Sequence, residues 1–222
     1  MHPAPKAVIF DCDGVVIDSE LPTLQLLQAD LAARGLSLTI AELEARFVGG
    51  TVEGIRDKLL ALGLTMPEGW VADFYARMYD SLRREAPLIP GILGVLDALD
   101  AAGIPYAMGS NGPPEKMQIT LGQHGLVERF RHHLYSGQAL GRPKPAPDVY
   151  LHAAARLGVA PADCVVIEDS ATGARAARAA GMRCLGYAAN GHADKLASEG
   201  ATPFFQMQDL PGLLGLTPVR AV

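Results

Sequence analysis

Short, mainly apolar runs punctuate the chain. Ala7-Val8-Ile9-Phe10 is the first, and others fall at 106–109, 133–135, 164–167 and 183–187, with a weaker one at 203–205. Runs of this length, apolar at most successive positions, predict strands covered on both faces. Between them the apolar residues recur every three or four positions, predicting helices over 92–102, 116–124, 147–157 and 171–180. Gly103, Gly125, Gly158 and Gly181 stand where such helices stop. Strand and helix in alternation predict βα units, a parallel sheet and helices on both of its faces.

Residues 18–86 break this rhythm. Leu21, Leu24, Gln28, Leu31 and Gly35 follow at helical spacing, and further helical patterns cover 40–46, 52–62 and 70–84 without an evident strand. Ala86-Pro87-Leu88-Ile89-Pro90-Gly91 then marks a boundary. The expected organisation is a core of 1–17 and 87–222, with 18–86 as an all-helical insertion joined by two hinges. No internal repeat or low-complexity segment is evident.

Composition narrows the class. At 222 residues and 49% hydrophobic content, the chain can bury a substantial core. Its net charge of −5, from 24 acidic and 19 basic residues, gives no reason to expect a nucleic-acid partner or a membrane surface. No apolar run approaches the ~20 residues of a membrane span, and no secretion signal precedes Asp11. Cys12, Cys164 and Cys184 are odd in number and lack CxxC spacing, which fits a reduced cytoplasmic enzyme.

Candidate chemistry gathers at the ends of the predicted strands. In extended backbone Asp11 and Asp13 point the same way and Cys12 the other. Two carboxylates so close raise each other's pKa unless a cation intervenes or one keeps a proton, and either outcome is useful for acid chemistry. Asp-x-Asp-Gly is equally a turn when taken alone. Ser110-Asn111-Gly112 ends the second core strand, either as a phosphate contact or as a common turn. Lys144, flanked by Pro143 and Pro145, is held on stiff backbone, as a fixed cation or as a solvated loop residue. Glu168-Asp169-Ser170 places two acids after another apolar run, for a metal or to cap the next helix.

Taken together, Asp11-Cys12-Asp13-Gly14-Val15-Val16, Ser110-Asn111, Lys144 within Arg142-Pro143-Lys144-Pro145, and Glu168-Asp169-Ser170 resemble the haloacid dehalogenase-like hydrolase superfamily. A helical segment inserted directly after the first motif is similar to its β-phosphoglucomutase-like and sugar-phosphatase branch. The resemblance implies an α/β, Rossmann-like core, a helical cap domain over 18–86, and Mg²⁺. It implies Asp11 as nucleophile, through an aspartyl phosphate, and Asp13 as the acid and base. Ser110, Asn111 and Lys144 would hold the phosphate, and Asp11, Asp13 (by its carbonyl), Asp169 and Glu168 the metal.

Departures from the family patterns separate its activities. Dehalogenases of the superfamily lack the second acid, whereas Asp13 is present. β-Phosphoglucomutases carry a histidine at the place of Thr23, so hydrolysis is favoured over the mutase alternative. A catalytically silent ligand-binding protein is the third reading. Within 18–86, a Gly49-Gly50-Thr51 loop and Arg46, Arg56 and Arg77 are candidates for choosing the substrate, against the plain alternative of solvated helix arginines. Trp70, Phe74, Tyr75 and Tyr79 read as helix packing. The expectation is a Mg²⁺-dependent phosphatase acting on a small phosphorylated metabolite, a sugar or polyol phosphate. It is expected to be cytoplasmic, without nucleic-acid or membrane partners, as a monomer or weakly associated homodimer.

Overall fold

A computed structural model describes residues 3–47, 52–131, 133–189 and 191–216. The chain divides into two compact units, Met1–Ile17 with Leu88–Val222, and Asp18–Pro87. In chain order the elements are β1 (Ala7–Phe10), α1 (Glu20–Ala33), α2 (Ile40–Phe47), α3 (Val52–Ala61), α4 (Trp70–Arg84), α5 (Ile92–Ala102), β2 (Tyr106–Ser110), α6 (Pro114–Gly122) and α7 (Leu126–Arg129). They continue with β3 (Leu134–Ser136), α8 (Asp148–Leu157), β4 (Cys164–Glu168), α9 (Ala171–Ala179), β5 (Arg183–Tyr187), α10 (Ala193–Ser198), β6 (Thr202–Phe204) and α11 (Leu210–Leu213).

The larger unit is an α/β, Rossmann-like fold. Its strands form one sheet in the order β3-β2-β1-β4-β5-β6, and every neighbouring pair is parallel. All four residues of β1 are buried, as an apolar strand between helical layers requires. Ala7 and Ile9 face one layer with Ala107, Val166 and the α8 and α9 residues Val149, Tyr150, Ala153, Ala174 and Ala177. Phe10 meets Tyr106 and Phe130 edge-on, with ring centroids 6.3 Å apart in both pairs. Alanines and glycines let the helices approach closely. A Cβ on Gly109 would lie 3.1 Å from the Tyr150 ring, and one on Gly186 would lie 3.1 Å from Leu196.

The predicted strands all form, shifted by a residue or two at their ends. The helix stops at Gly103 and Gly158 adopt left-handed φ of 65° and 71°. α7, α10 and α11 have no counterpart in the sequence reading, because four to six residues are too few turns to show a period. α6 starts at Pro114, earlier than position 116, with proline in its first turn, where no amide partner is needed.

The smaller unit is helical, α1 to α4, around a core of Leu24, Leu27, Leu31, Leu43, Phe47, Val52, Ile55, Leu59, Trp70 and Phe74. The buried face of α1 is Leu24, Leu27, Asp30 and Leu31, while Leu21 is 43% exposed. An acid therefore occupies a core position, and its partners explain why. Asp30 accepts from Trp70 Nε1 at 2.9 Å, from Arg34 Nε at 2.9 Å and from Arg77 at 2.8 Å. Trp70 and Phe74 pack in this core, as expected, with centroids 5.1 Å apart.

Where the larger unit is interrupted, its two chain segments meet. Ile17 pairs with Leu88 in an antiparallel bridge, and the Ile89 N–H donates to the Val16 carbonyl at 3.0 Å. In the helical unit the Asp18 N–H donates to the Pro87 carbonyl at 2.8 Å.

Candidate active site

The strand order reverses between β1 and β4, where parallel α/β sheets open a crevice at their carboxyl ends. Register brings the chemistry there. Phe10 is opposite Met108 on one side and Ile167 on the other, so the residues that follow (Asp11, the end of β2 and Glu168) emerge together. The Asp11 N–H extends this pairing by donating to the Ile167 carbonyl at 2.9 Å. The chain then turns at Gly14, whose φ is +78°. A Cβ there would fall 2.1 Å from Asp169 Oδ2, so only glycine lets the two loops close on one another.

Asp11, Glu168 and Lys144 are 8%, 1% and 6% exposed. The Lys144 ammonium donates to Asp11 Oδ1 and to Glu168 Oε1, the latter at 2.7 Å. Its loop is fastened by Asn111, whose Oδ1 accepts from the Lys144 N–H at 2.7 Å and whose amide donates to the Lys144 carbonyl at 3.2 Å. The Asn111 side chain thus holds the lysine's backbone. Glu168 is heavily committed. Oε1 also accepts from the Tyr150 hydroxyl at 2.8 Å, and Oε2 accepts from the Asp169 N–H, the Ser170 N–H and the Ser170 hydroxyl at 3.0, 2.9 and 2.9 Å. Ser170 Oγ in turn accepts from the Gly173 N–H at 3.0 Å, capping α9. The capping alternative and the grouping of acids are both present in one loop.

Asp13 takes a different partner. Its Oδ1 pairs with the Lys116 ammonium at 2.7 Å, from the first turn of α6. Ser110 Oγ accepts from the Gly112 N–H at 2.9 Å. A Cβ on Gly112 would meet Ser110 Oγ at 3.3 Å and Asp13 Oδ2 at 3.6 Å, so Asp13, Ser110 and Lys116 surround that glycine. Lys116 and Tyr150 are site residues that the sequence reading assigned only to helices. The signal for Lys116 was its place just after Ser110-Asn111-Gly112. Tyr150 carried no signal beyond a hydroxyl on an otherwise apolar helix face.

Burial and charge pull the acids apart. Burial pushes Asp11 up to about 7, although the Lys144 ammonium beside it pulls the other way. Glu168 is equally hidden, yet Lys144 and its several hydrogen bonds outweigh burial and hold it below the usual carboxylate range. Burial also opposes the charge on Lys144, but Asp11 and Glu168 overcome it and raise that lysine above its ordinary value. Lys116 is raised for the same reason, by Asp13. Cys12 is pushed well up by burial, then by the two acids, and stays an unreactive thiol.

Carboxylate oxygens of Asp11, Glu168 and Asp169 lie within 4.8 Å of one another. An all-oxygen set suits a hard divalent cation. With all four ionised, the carboxylates Asp11, Asp13, Glu168 and Asp169 outnumber the ammonium groups Lys144 and Lys116 by two charges. The group therefore fits a dication. Glu168, with both oxygens already accepting, contributes charge here more than spare lone pairs.

The candidates in the helical unit are not gathered in one place by their contacts. Arg77 is held by Asp30 and Asp73, both at 2.8 Å. Arg56 turns onto its neighbour Asp57 at 2.7 Å, and Arg46 is exposed, its carbonyl accepting from Lys58 at 2.6 Å. Thr23 donates to the Ser19 carbonyl at 2.8 Å. Gly50 and Thr51 lie outside the described residues.

Comparison with known proteins agrees with this arrangement. Residues 5–181 match the family model of haloacid dehalogenase-like hydrolases. The chain is 32% identical over 213 residues to the 6-phosphogluconate phosphatase of Escherichia coli, covering 94% of each chain. It is 34% identical over 179 residues to a phosphoglycolate phosphatase of Xylella fastidiosa, covering 80% of this chain and 78% of that one. Among solved structures, a haloacid dehalogenase-family hydrolase of Deinococcus radiodurans with bound phosphate and sodium superposes with a TM-score of 0.86 at 35% identity, over 98% of this chain and 100% of that one. With the motifs, the fold and these relatives in agreement, the chain belongs to the haloacid dehalogenase-like hydrolase family and is a phosphomonoester hydrolase of that family.

Proposed function

We propose that the enzyme hydrolyses a small sugar or polyol phosphate by way of an aspartyl phosphate on Asp11, within the cytoplasm. The observation that carries this reading is the ammonium of Lys144 shared between Asp11 and Glu168 at the strand-order reversal. It sets a fixed cation against the carboxylate that would otherwise repel an incoming phosphate.

In the first step an Asp11 carboxylate oxygen attacks phosphorus, and the bond from phosphorus to the ester oxygen breaks. Asp13 gives its proton to that departing oxygen. In the second, Asp13 takes a proton from water, whose oxygen attacks phosphorus and releases phosphate and the Asp11 carboxylate. Lys144 and the Ser110 hydroxyl hold the phosphoryl oxygens, and Asn111 keeps the Lys144 backbone in place. Asp11 and Asp169, with the Asp13 carbonyl, would hold Mg²⁺, while Glu168 anchors Lys144. When bound, that ion supplies positive charge to offset the meeting of carboxylate and phosphate. Arg46, Arg56, Gly50, Thr51 and the helical unit around them, acting as a cap, would distinguish substrates.

The relatives' printed names point to phosphorylated sugar acids and other small organic phosphates as first substrates to try. The test is a panel of phosphorylated metabolites with Mg²⁺, ranked by kcat/KM, for the wild type and Asp11→Asn. Phosphate release by the wild type and its loss in the variant is expected; full turnover by Asp11→Asn would refute the covalent route. Including β-glucose 1-phosphate separates the mutase alternative, which would yield glucose 6-phosphate without free phosphate.

A further inference from the structure

Tyr150 lies wholly within the core between α8 and the sheet, packed against Gly109 of β2. Phenylalanine would fill that space with no polar group to satisfy, so the hydroxyl needs a reason. Its hydroxyl donates to Glu168 Oε1 at 2.8 Å, and its ring centroid lies 4.7 Å from the Lys144 ammonium. One side chain therefore touches both groups that stand behind Asp11.

We propose that Tyr150 is a positioning residue for phosphoryl transfer, fixing the Lys144 ammonium against Asp11 through its ring and through Glu168. Glu168 Oε1 is shared by two donors, Tyr150 and Lys144, while Oε2 is fixed by three more from the Asp169–Ser170 turn. With every oxygen of Glu168 directed, the carboxylate cannot rotate to draw the ammonium away. The ring face behind the ammonium offsets part of its lost hydration and blocks its retreat into the core.

The inference rests on reading Lys144 as the cation that meets phosphate. It is tested with Tyr150→Phe, which keeps the ring and removes only the hydroxyl, and Tyr150→Leu, which removes both. p-Nitrophenyl phosphate serves as substrate and orthovanadate as a mimic of the pentacoordinate transition state. For Tyr150→Phe, kcat should fall about tenfold, the size of one hydrogen bond to a charged group. The vanadate inhibition constant should rise by a similar factor, and KM should change less than about twofold. Tyr150→Leu should lose more of both. In a Glu168→Gln background, Tyr150→Phe should add nothing, because its route is already cut. An unchanged vanadate constant, whether or not the variants melt earlier, assigns Tyr150 to packing alone and overturns the proposal. So does an equal loss in the Glu168→Gln background. A wild-type enzyme with neither turnover nor vanadate inhibition would instead fail the reading of the site itself.

Discussion

Around the site, single atoms decide what is tolerated. A Cβ on Gly173 would lie 1.6 Å from Glu168 Oε1, so Gly173→Ala must displace the carboxylate that anchors Lys144. Forcing extra volume into a packed site costs about 1–3 kcal/mol. Gly173→Ala should lower stability by that order in urea denaturation and lower kcat beyond what the unfolded fraction explains. Asp11 offers a pH test. Its folded value near 7 lies above its ordinary value of 3.8, so between those limits the folded state holds a proton that the unfolded state has released. Stability from this group is present below about pH 4 and is lost as pH rises through 7. For metal-free protein, the melting temperature of wild type minus that of Asp11→Asn should therefore fall between pH 4 and 7. A flat difference would show that the buried acid is already ionised.

At the level of elements, α1 and α4 are tied by an ion cluster as well as by apolar packing. Asp30 is the acceptor for Trp70, Arg34 and Arg77. Asp30→Ala leaves the indole N–H and both guanidinium groups without this partner. The arginines are 27% and 35% exposed and regain water, so a loss of about 2 kcal/mol is expected in denaturant unfolding, well short of a fully buried pair. The same cluster shows where sequence reading reached its limit. Strands announced themselves through mainly apolar runs, and the acids through their place after those runs, because both signals are local. Asp30 on the inner face of α1 could not be read that way: Arg34 is a local partner, but Trp70 and Arg77 stand far along the chain in α4. Lys116 and Tyr150 were hidden similarly: helix periodicity placed them on helices, but only the β1–β2 and β1–β4 registers show what those helices present. Arg77, legible either as a substrate contact or as a solvated helix arginine, makes ion pairs with Asp30 and Asp73 of its own unit.

For the whole molecule, charge links metal to stability. Once Asp11 is ionised, the acids Asp11, Asp13, Glu168 and Asp169 outnumber the two lysines by two charges, a repulsion that a dication would relieve. A ligand present at a hundred times its dissociation constant stabilises a fold by about 2.7 kcal/mol. Mg²⁺ at that level should raise the unfolding midpoint of the larger unit, and Asp169→Asn should blunt the shift without abolishing the fold. No shift in the wild type would contradict the metal assignment, and a calorimetric trace would show whether the helical unit melts apart from it. The bridge between Ile17 and Leu88 also matters for how such a protein can change over time. Because the chain leaves and rejoins the sheet-bearing unit at neighbouring points, the intervening segment is placed to be exchanged as a cassette. Its length and sequence can drift, or be replaced by a short Gly-Ser turn, without altering the spacing of β1 and β2. Ancestry could then vary that segment while Asp11, at the end of β1, stays in an inherited frame.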